Sequence, residues 1–290
     1  MSRPFDISPE KEASTSQYLY RQLFVTPAVL SKKEFNLTGK TAIVTGSNIG
    51  LDLECARQLL DLGLSKLILA VRDESKGETA RKELSICRSL APGAIEVWKV
   101  DLSSYNSIIK FAERAHSLEY LDIAVLNAGV YKVNLTFNPA TGFEEDVRII
   151  IVSSDTAAWA KFNERIVNPL LPAFKAIPSK WDMQERYSTS KLLGQLLFRD
   201  GAGTLLGLVI GIITRIIGRP CNVGARPLTA AAVKFGDEVH GQYVEDNKIR
   251  PMAPIIYKPE GQRIAKKLWQ ELLDELSFAG VRDVLKGLKK

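Results

Sequence analysis

The sequence predicts an α/β fold with a doubly wound parallel sheet, on three observations. Short apolar runs alternate with amphipathic helical stretches between residues 41 and 126. A glycine-bearing turn, Thr45-Gly46-Ser47-Asn48-Ile49-Gly50, joins the first run to the first helix. The chain has 290 residues, 46% apolar and 25% charged, enough to bury one sheet between two helical layers. Strands that alternate with helices pair in parallel, with right-handed crossovers that gather their carboxyl ends on one edge.

The elements follow in order. Residues 1–38 read as an extension, in which Tyr18, Tyr20, Leu23 and Phe24 suggest a short helix packed on the body. Residues 39–290 read as a single domain. Thr41–Thr45 is an apolar run suited to a strand covered on both faces. Leu51–Leu62 places Leu53, Ala56, Leu59 and Leu60 at helical spacing, and Gly63 stops it. Leu67–Val71 is the second strand and Ser75–Leu90 the second helix, turned back by Pro92-Gly93. Ile95–Val100, Tyr105–Ala115 and Leu121–Leu126 continue the rhythm as strand, helix and strand. Val130–Asp146 then shows no helical period before a fifth strand at Val147–Val152. Helices are expected at Tyr187–Leu197, near Ala225–Lys234 and at Pro259–Phe278, the last with Ile264, Leu268, Leu272 and Leu276 on one stripe. Compared with a complete doubly wound pattern, one helix and one strand are missing.

Composition narrows the function. The net charge of +6 is dispersed, which suits an anionic small molecule at least as well as nucleic acid, and no nucleic-acid-binding signature is present. Cys55, Cys87 and Cys221 are odd in number and widely spaced, which argues for a reducing compartment, here the cytoplasm. His116 and His240 each stand alone, so no metal site is expected. The stretch Gly203–Gly218 is apolar but is interrupted by Arg215 and falls short of the ~20 residues that span a bilayer. It reads as core or pocket wall, without stable membrane insertion.

Chemistry-bearing residues fall at the expected strand ends. Gly46 permits a tight turn and Gly50 lets the backbone approach an anion at a helix N-terminus. Arg72 lies 22 residues after Gly50, where an arginine suits the 2′-phosphate of NADP. The following Asp73 would suit the free hydroxyl of NAD instead. Asp101 ends the third strand and Asn127-Ala128-Gly129 the fourth. Ser153-Ser154 follows the fifth strand, and Tyr187 and Lys191 share a helix face four residues apart. A phenol has a pKa of about 10, and a neighbouring ammonium favours its ionised form.

Taken in this order, T-G-S-N-I-G, V-R-D, D-L, N-A-G, I-V-S-S and Y-S-T-S-K resemble the short-chain dehydrogenase/reductase family over residues 38–200. The opening Tyr18-Leu-Tyr-Arg-Gln and the Asn-Leu-Thr-Gly-Lys run are similar to fungal secondary-metabolite members related to retinol-dehydrogenase-like enzymes. The resemblance implies a Rossmann-type fold and an NADP-dependent oxidoreductase. Gly46, Ser47, Ile49, Gly50, Arg72, Asp101, Asn127, Tyr187 and Lys191 would line the cofactor. Ser154 would polarise the substrate oxygen, Tyr187 would exchange its proton, and Lys191 would hold the nicotinamide ribose and lower the tyrosine pKa. The substrate would be an apolar small molecule bearing a carbonyl or secondary alcohol, with Tyr131 and residues 203–218 as candidate pocket walls. Homo-oligomerisation is left open.

Three departures from the family pattern stand out. Asp52 occupies the third glycine position, where a carboxylate would crowd and repel a pyrophosphate. The helix between strands four and five is missing, and so is the strand with Pro-Gly expected after Tyr187–Leu197. These gaps look like internal deletions. They keep a second reading open, a catalytically inactive nucleotide-binding scaffold. The spacing of 33 residues between Ser154 and Tyr187 is longer than the family usually shows, and the retinol-dehydrogenase-like branch tolerates it.

Overall fold

The structure, a computed structural model, describes residues 5–128, 155–175, 182–198, 219–236, 239 and 242–282. The chain opens with α1 (Pro9–Glu12) and α2 (Thr15–Phe24), each capped by a serine, Ser8 and Ser14, whose hydroxyl accepts a first-turn N–H. Within α2 the buried anchor is Arg21, ion-paired to Glu12 at 2.8 Å and to Glu245. Tyr18 meets Trp159 edge-on, but Tyr20, Leu23 and Phe24 point to solvent. The apolar residues expected to dock this helix are therefore mostly not the ones that do.

β1 (Thr41–Thr45), α3 (Gly50–Asp61), β2 (Lys66–Val71), α4 (Glu74–Ser85), β3 (Ile95–Lys99), α5 (Tyr105–His116) and β4 (Ile123–Val125) follow the predicted alternation. The four strands are parallel, in the order β3-β2-β1-β4. Val44 pairs with Leu69 on one side and Val125 on the other, and Leu69 continues the row to Val97. Apolar side chains on one face (Val44, Leu67, Leu69) meet Ala56, Leu59 and Leu60 of α3 and Ala80 and Leu84 of α4. The opposite face buries Ile43, Ile68, Ala70 and Trp98, with Phe111 of α5 against them. Burial on both faces is why the central strands β1 and β2 read as continuous apolar runs.

Two boundaries differ for visible reasons. α4 stops at Ser85 rather than Leu90, because Cys87 takes a left-handed conformation (φ 58°) that a helix cannot continue through. α6 (Met183–Phe198) begins one turn before Tyr187, where the Asp182 carboxylate accepts the N–H groups of Gln184 and Glu185.

α7 (Cys221–Gly224) and α8 (Arg226–Val233) return the chain to α3, with Ala225 and Leu228 joining its core. β5 (Tyr243–Glu245) and β6 (Lys248–Arg250) form an antiparallel hairpin that was not anticipated. Its turn residues Asp246 and Asn247 both have positive φ, as a tight hairpin connection demands. α9 (Pro259–Glu275) packs on α6 through Ile264 and Leu268, in a second core with Phe162, Phe174, Leu192 and Leu193. The expected fifth strand, Ser153-Ser154, Tyr131 and the stretch 203–218 lie outside the described residues. No helix among the described residues is long and apolar enough to cross a membrane.

Candidate active site

Strand order reverses at β1. The crossovers through α3 and α4 step away on one side, while β4 lies on the other. Ligands of open parallel sheets bind outside the carboxyl ends of the strands at such a switch point. The residues that meet there are Gly46, following β1, and Asn127 and Ala128, following β4.

Thr45 clasps the two loops together. Its buried Oγ1 accepts the backbone N–H groups of Asn127 and Ala128, both at 3.1 Å. Gly46 (φ 71°) donates its N–H to the carbonyl of Ala70, which ties the turn to β2. A Cβ at Gly46 would stand 3.0 Å from Ala128 Cα, 3.1 Å from Ala128 Cβ and 3.2 Å from Asp52 Oδ2, so only glycine fits the approach of the two loops. The Ser47 hydroxyl is buried and donates to the carbonyl of Val44 at 2.8 Å.

The next residues suit an anion. Ile49, the N-cap of α3, offers no side-chain acceptor and is 72% exposed. By contrast, α4 and α5 are capped by Asp73 and Ser104. An uncapped helix N-terminus leaves first-turn N–H groups to a ligand, and the helix dipole favours a negative one. Gly50 (φ 69°) opens α3, and a Cβ there would meet nothing within 4 Å. The backbone of this turn thus fits a diphosphate.

Arg72 stands exposed at the carboxyl end of β2. Asp73 beside it accepts the N–H groups of Ser75 and Lys76, and its pKa is lowered, first of all by the Ser75 hydroxyl. Asp101 accepts the N–H and hydroxyl of Ser103, closing the turn after β3.

Asp52 is the feature that motif matching alone leaves unplaced. It lies in the first turn of α3, is only 7% exposed, and accepts a hydrogen bond from Asn127 Nδ2 at 2.5 Å. Burial raises its pKa to about 6, against the pull of Asn127 and the charge of Lys191. Lys191 responds in the opposite sense. Burial lowers its pKa to about 8, and the Asp52 charge resists the fall. On α6 the Lys191 ammonium stands 5.6 Å from the centroid of the Tyr187 ring. Asp52 thus lies at the Gly46 turn and is bonded to Asn127, and Lys191, whose charge acts on it, stands beside Tyr187. Sequence reasoning missed two links, the Thr45 clasp and the Asn127–Asp52 bond. A threonine directly before the first glycine was the available signal for the clasp.

A parallel α/β sheet with a glycine turn at its switch point and a Tyr-x-x-x-Lys helix beside it defines a class of nucleotide-dependent enzymes, and comparison with known proteins narrows it. The family model for short chain dehydrogenases matches residues 40–200. The short-chain dehydrogenase fogG of Aspergillus ruber is 47% identical, with all of both chains covered. The short chain dehydrogenase/reductase mfmJ of Annulohypoxylon moriforme is 36% identical over 88% of this chain and 89% of its own. The short chain dehydrogenase virL of Hypocrea virens is 32% identical over the whole of both chains. In fold, the crystal structure of an uncharacterized protein from Mycobacterium Paratuberculosis superposes with a TM-score of 0.60 at 19% identity, covering 86% of this chain and 98% of that one. This chain belongs to the short-chain dehydrogenase/reductase family and is an oxidoreductase of that family, whose members use nicotinamide cofactors. The fogG match runs over 349 residues against the 290 of this chain, so the relative carries internal residues that have no counterpart here.

Proposed function

We propose that this chain is an NADP-dependent reductase or dehydrogenase that interconverts a carbonyl and a secondary alcohol on an apolar small molecule. The observation that carries the reading is Lys191. Its ammonium lies near the Tyr187 ring on α6 and is coupled electrostatically to Asp52 in the first turn of α3. One side chain thereby stands beside the candidate proton donor and acts by its charge on the carboxylate that follows the phosphate turn.

In this reading Gly46, Ser47, Ile49 and Gly50 hold the diphosphate through the backbone, and Asp101 and Asn127 border the cofactor. Arg72 takes the 2′-phosphate. Asp73 is used as the cap of α4 through Oδ1, while the exposed guanidinium of Arg72 at the same strand end has the charge and fork geometry that suit a phosphate. The nicotinamide supplies a hydride when bound. Tyr187 exchanges a proton with the substrate oxygen, which Ser154 polarises. Lys191 holds the ribose, and its positive charge favours the phenolate of Tyr187. Residues 39–290 act as one domain behind an extension at 1–38. The kinship with fogG, mfmJ and virL supports a place in fungal secondary metabolism, and the proposed compartment is the cytoplasm.

A second reading, a nucleotide-binding scaffold without turnover, is favoured by one observation: Asn127 already donates to Asp52. The test is NADPH oxidation against a panel of ketones, alongside NADPH binding. The enzyme reading expects turnover that Tyr187→Phe lowers by about 10²–10⁴-fold while binding persists. It also expects Arg72→Ala to erase a preference for NADP over NAD. Binding without turnover by the wild type selects the scaffold. Absence of NADPH binding would sink both.

A further inference from the structure

Asp52 holds the partners that a cofactor needs. Asn127 donates its side-chain N–H to Asp52 Oδ1. The other oxygen, Oδ2, lies 3.2 Å from where a Cβ of Gly46 would stand, at the mouth of the turn. Lys191 on α6 sends its field to the same carboxylate. An anion supplied by the chain itself therefore bonds the β4 loop at the mouth of the turn, within the field of the α6 lysine. In the dinucleotide reading the same turn, Asn127 and Lys191 serve the cofactor. A fixed carboxylate beside a diphosphate also adds like-charge repulsion in a site of reduced dielectric.

We propose that Asp52 is a built-in competitor for the cofactor diphosphate, released when its carboxylate takes up a proton, so that the chain binds NADP more tightly in acid than at neutral pH. The proposal rests on the dinucleotide reading of the turn.

The groups facing Asp52 define the pH window. From the β4 loop Asn127 faces it and does not titrate. From α6 Lys191, lowered to about 8, stays charged below neutrality. From α3 itself the buried Cys55 thiol is pushed up to about 12 and stays protonated. Of these groups among the described residues, Asp52, raised to about 6 by burial, is the one that changes charge between pH 5 and pH 7. If the cofactor binds only the protonated form, affinity is close to its limit at pH 5 and falls about tenfold by pH 7.

Isothermal titration of wild type, Asp52→Asn and Asp52→Gly with NADP⁺ at pH 5.0 and pH 7.0 tests this. The 2′-phosphate of the ligand gains a proton near pH ~6 in every titration, so the readout is the ratio of variant to wild-type affinity at each pH. At pH 7.0 both variants are expected to bind about tenfold tighter than wild type, and at pH 5.0 all three are expected to agree within about twofold. Two variants guard against one that misfolds, and a thermal melt of each confirms the folded state. Variants that bind no tighter than wild type at pH 7.0, or a ratio that does not change with pH, overturn the proposal while the dinucleotide reading stands. Failure of all three proteins to bind at either pH removes the dinucleotide reading and the proposal with it.

Discussion

Replacing Asp52 with asparagine removes a charge that the fold buries against its own preference. Asparagine keeps the shape and still offers an oxygen to Asn127. The carboxylate pKa rises from an ordinary 3.8 to about 6 on folding. Well below pH 3.8 both folded and unfolded chains carry the proton, and the residue favours neither. Between those values only the folded state keeps the proton, so stability falls as pH rises. Above pH 6 both states are ionised and the full penalty is present, about 3 kcal/mol at most. Part of this is offset in the variant, because Lys191 loses the charge that supports its own ionised form. A net gain of about 1–2 kcal/mol is expected at pH 7.5, or roughly 2–4 °C in Tm for a chain of this size. Near pH 4 the gain should vanish. Thermal unfolding of both proteins at pH 4.0 and 7.5 measures it. A variant less stable than wild type at pH 7.5, or a difference that is the same at both pH values, would refute the argument.

Other consequences follow from single contacts. Lys191 should lose its proton as pH rises through about 8, so kcat/KM for ketone reduction should fall on the alkaline side of that value, measured as a pH–rate profile. Arg21→Ala takes the nearer cation from Glu12, 5% exposed, which keeps Arg250 at 4.0 Å, and removes a partner of Glu245; it should cost about 3 kcal/mol in urea unfolding. Gly261→Ala should destabilise by about 3 kcal/mol or more in the same assay, because its Cβ would fall 2.1 Å from the Ile255 carbonyl oxygen. An unchanged unfolding midpoint for either variant would contradict the packing described for it.

What was legible in the sequence depended on how local each cause is. β1 and β2 were visible because strands covered on both faces carry consecutive apolar residues, such as Leu67–Val71. Their helices were visible from stripes like Leu53, Ala56 and Leu60. The end of α4 was not, because Cys87 takes its positive φ without a glycine to announce it. The β5–β6 hairpin hid behind an Asp-Asn turn and strands of three residues each. Burial of Arg21 depends on Glu245, 224 residues away, and no window along the chain reveals it. The same holds at the site. Gly46, Gly50, Asn127, Tyr187 and Lys191 could be named from their motifs, and Asp52 could be named as a departure. That Asn127 would bond to Asp52, 75 residues earlier, required the sheet to bring β4 beside β1.

The most direct measurement is a crystal structure of the protein soaked or grown with NADP⁺. It should show the two phosphates hydrogen-bonded to N–H groups in the first turn of α3, the 2′-phosphate on Arg72, and the Tyr187 hydroxyl facing the nicotinamide ring. A dinucleotide seated elsewhere, with Asp52 and Asn127 still joined at the mouth of the turn, would contradict the account.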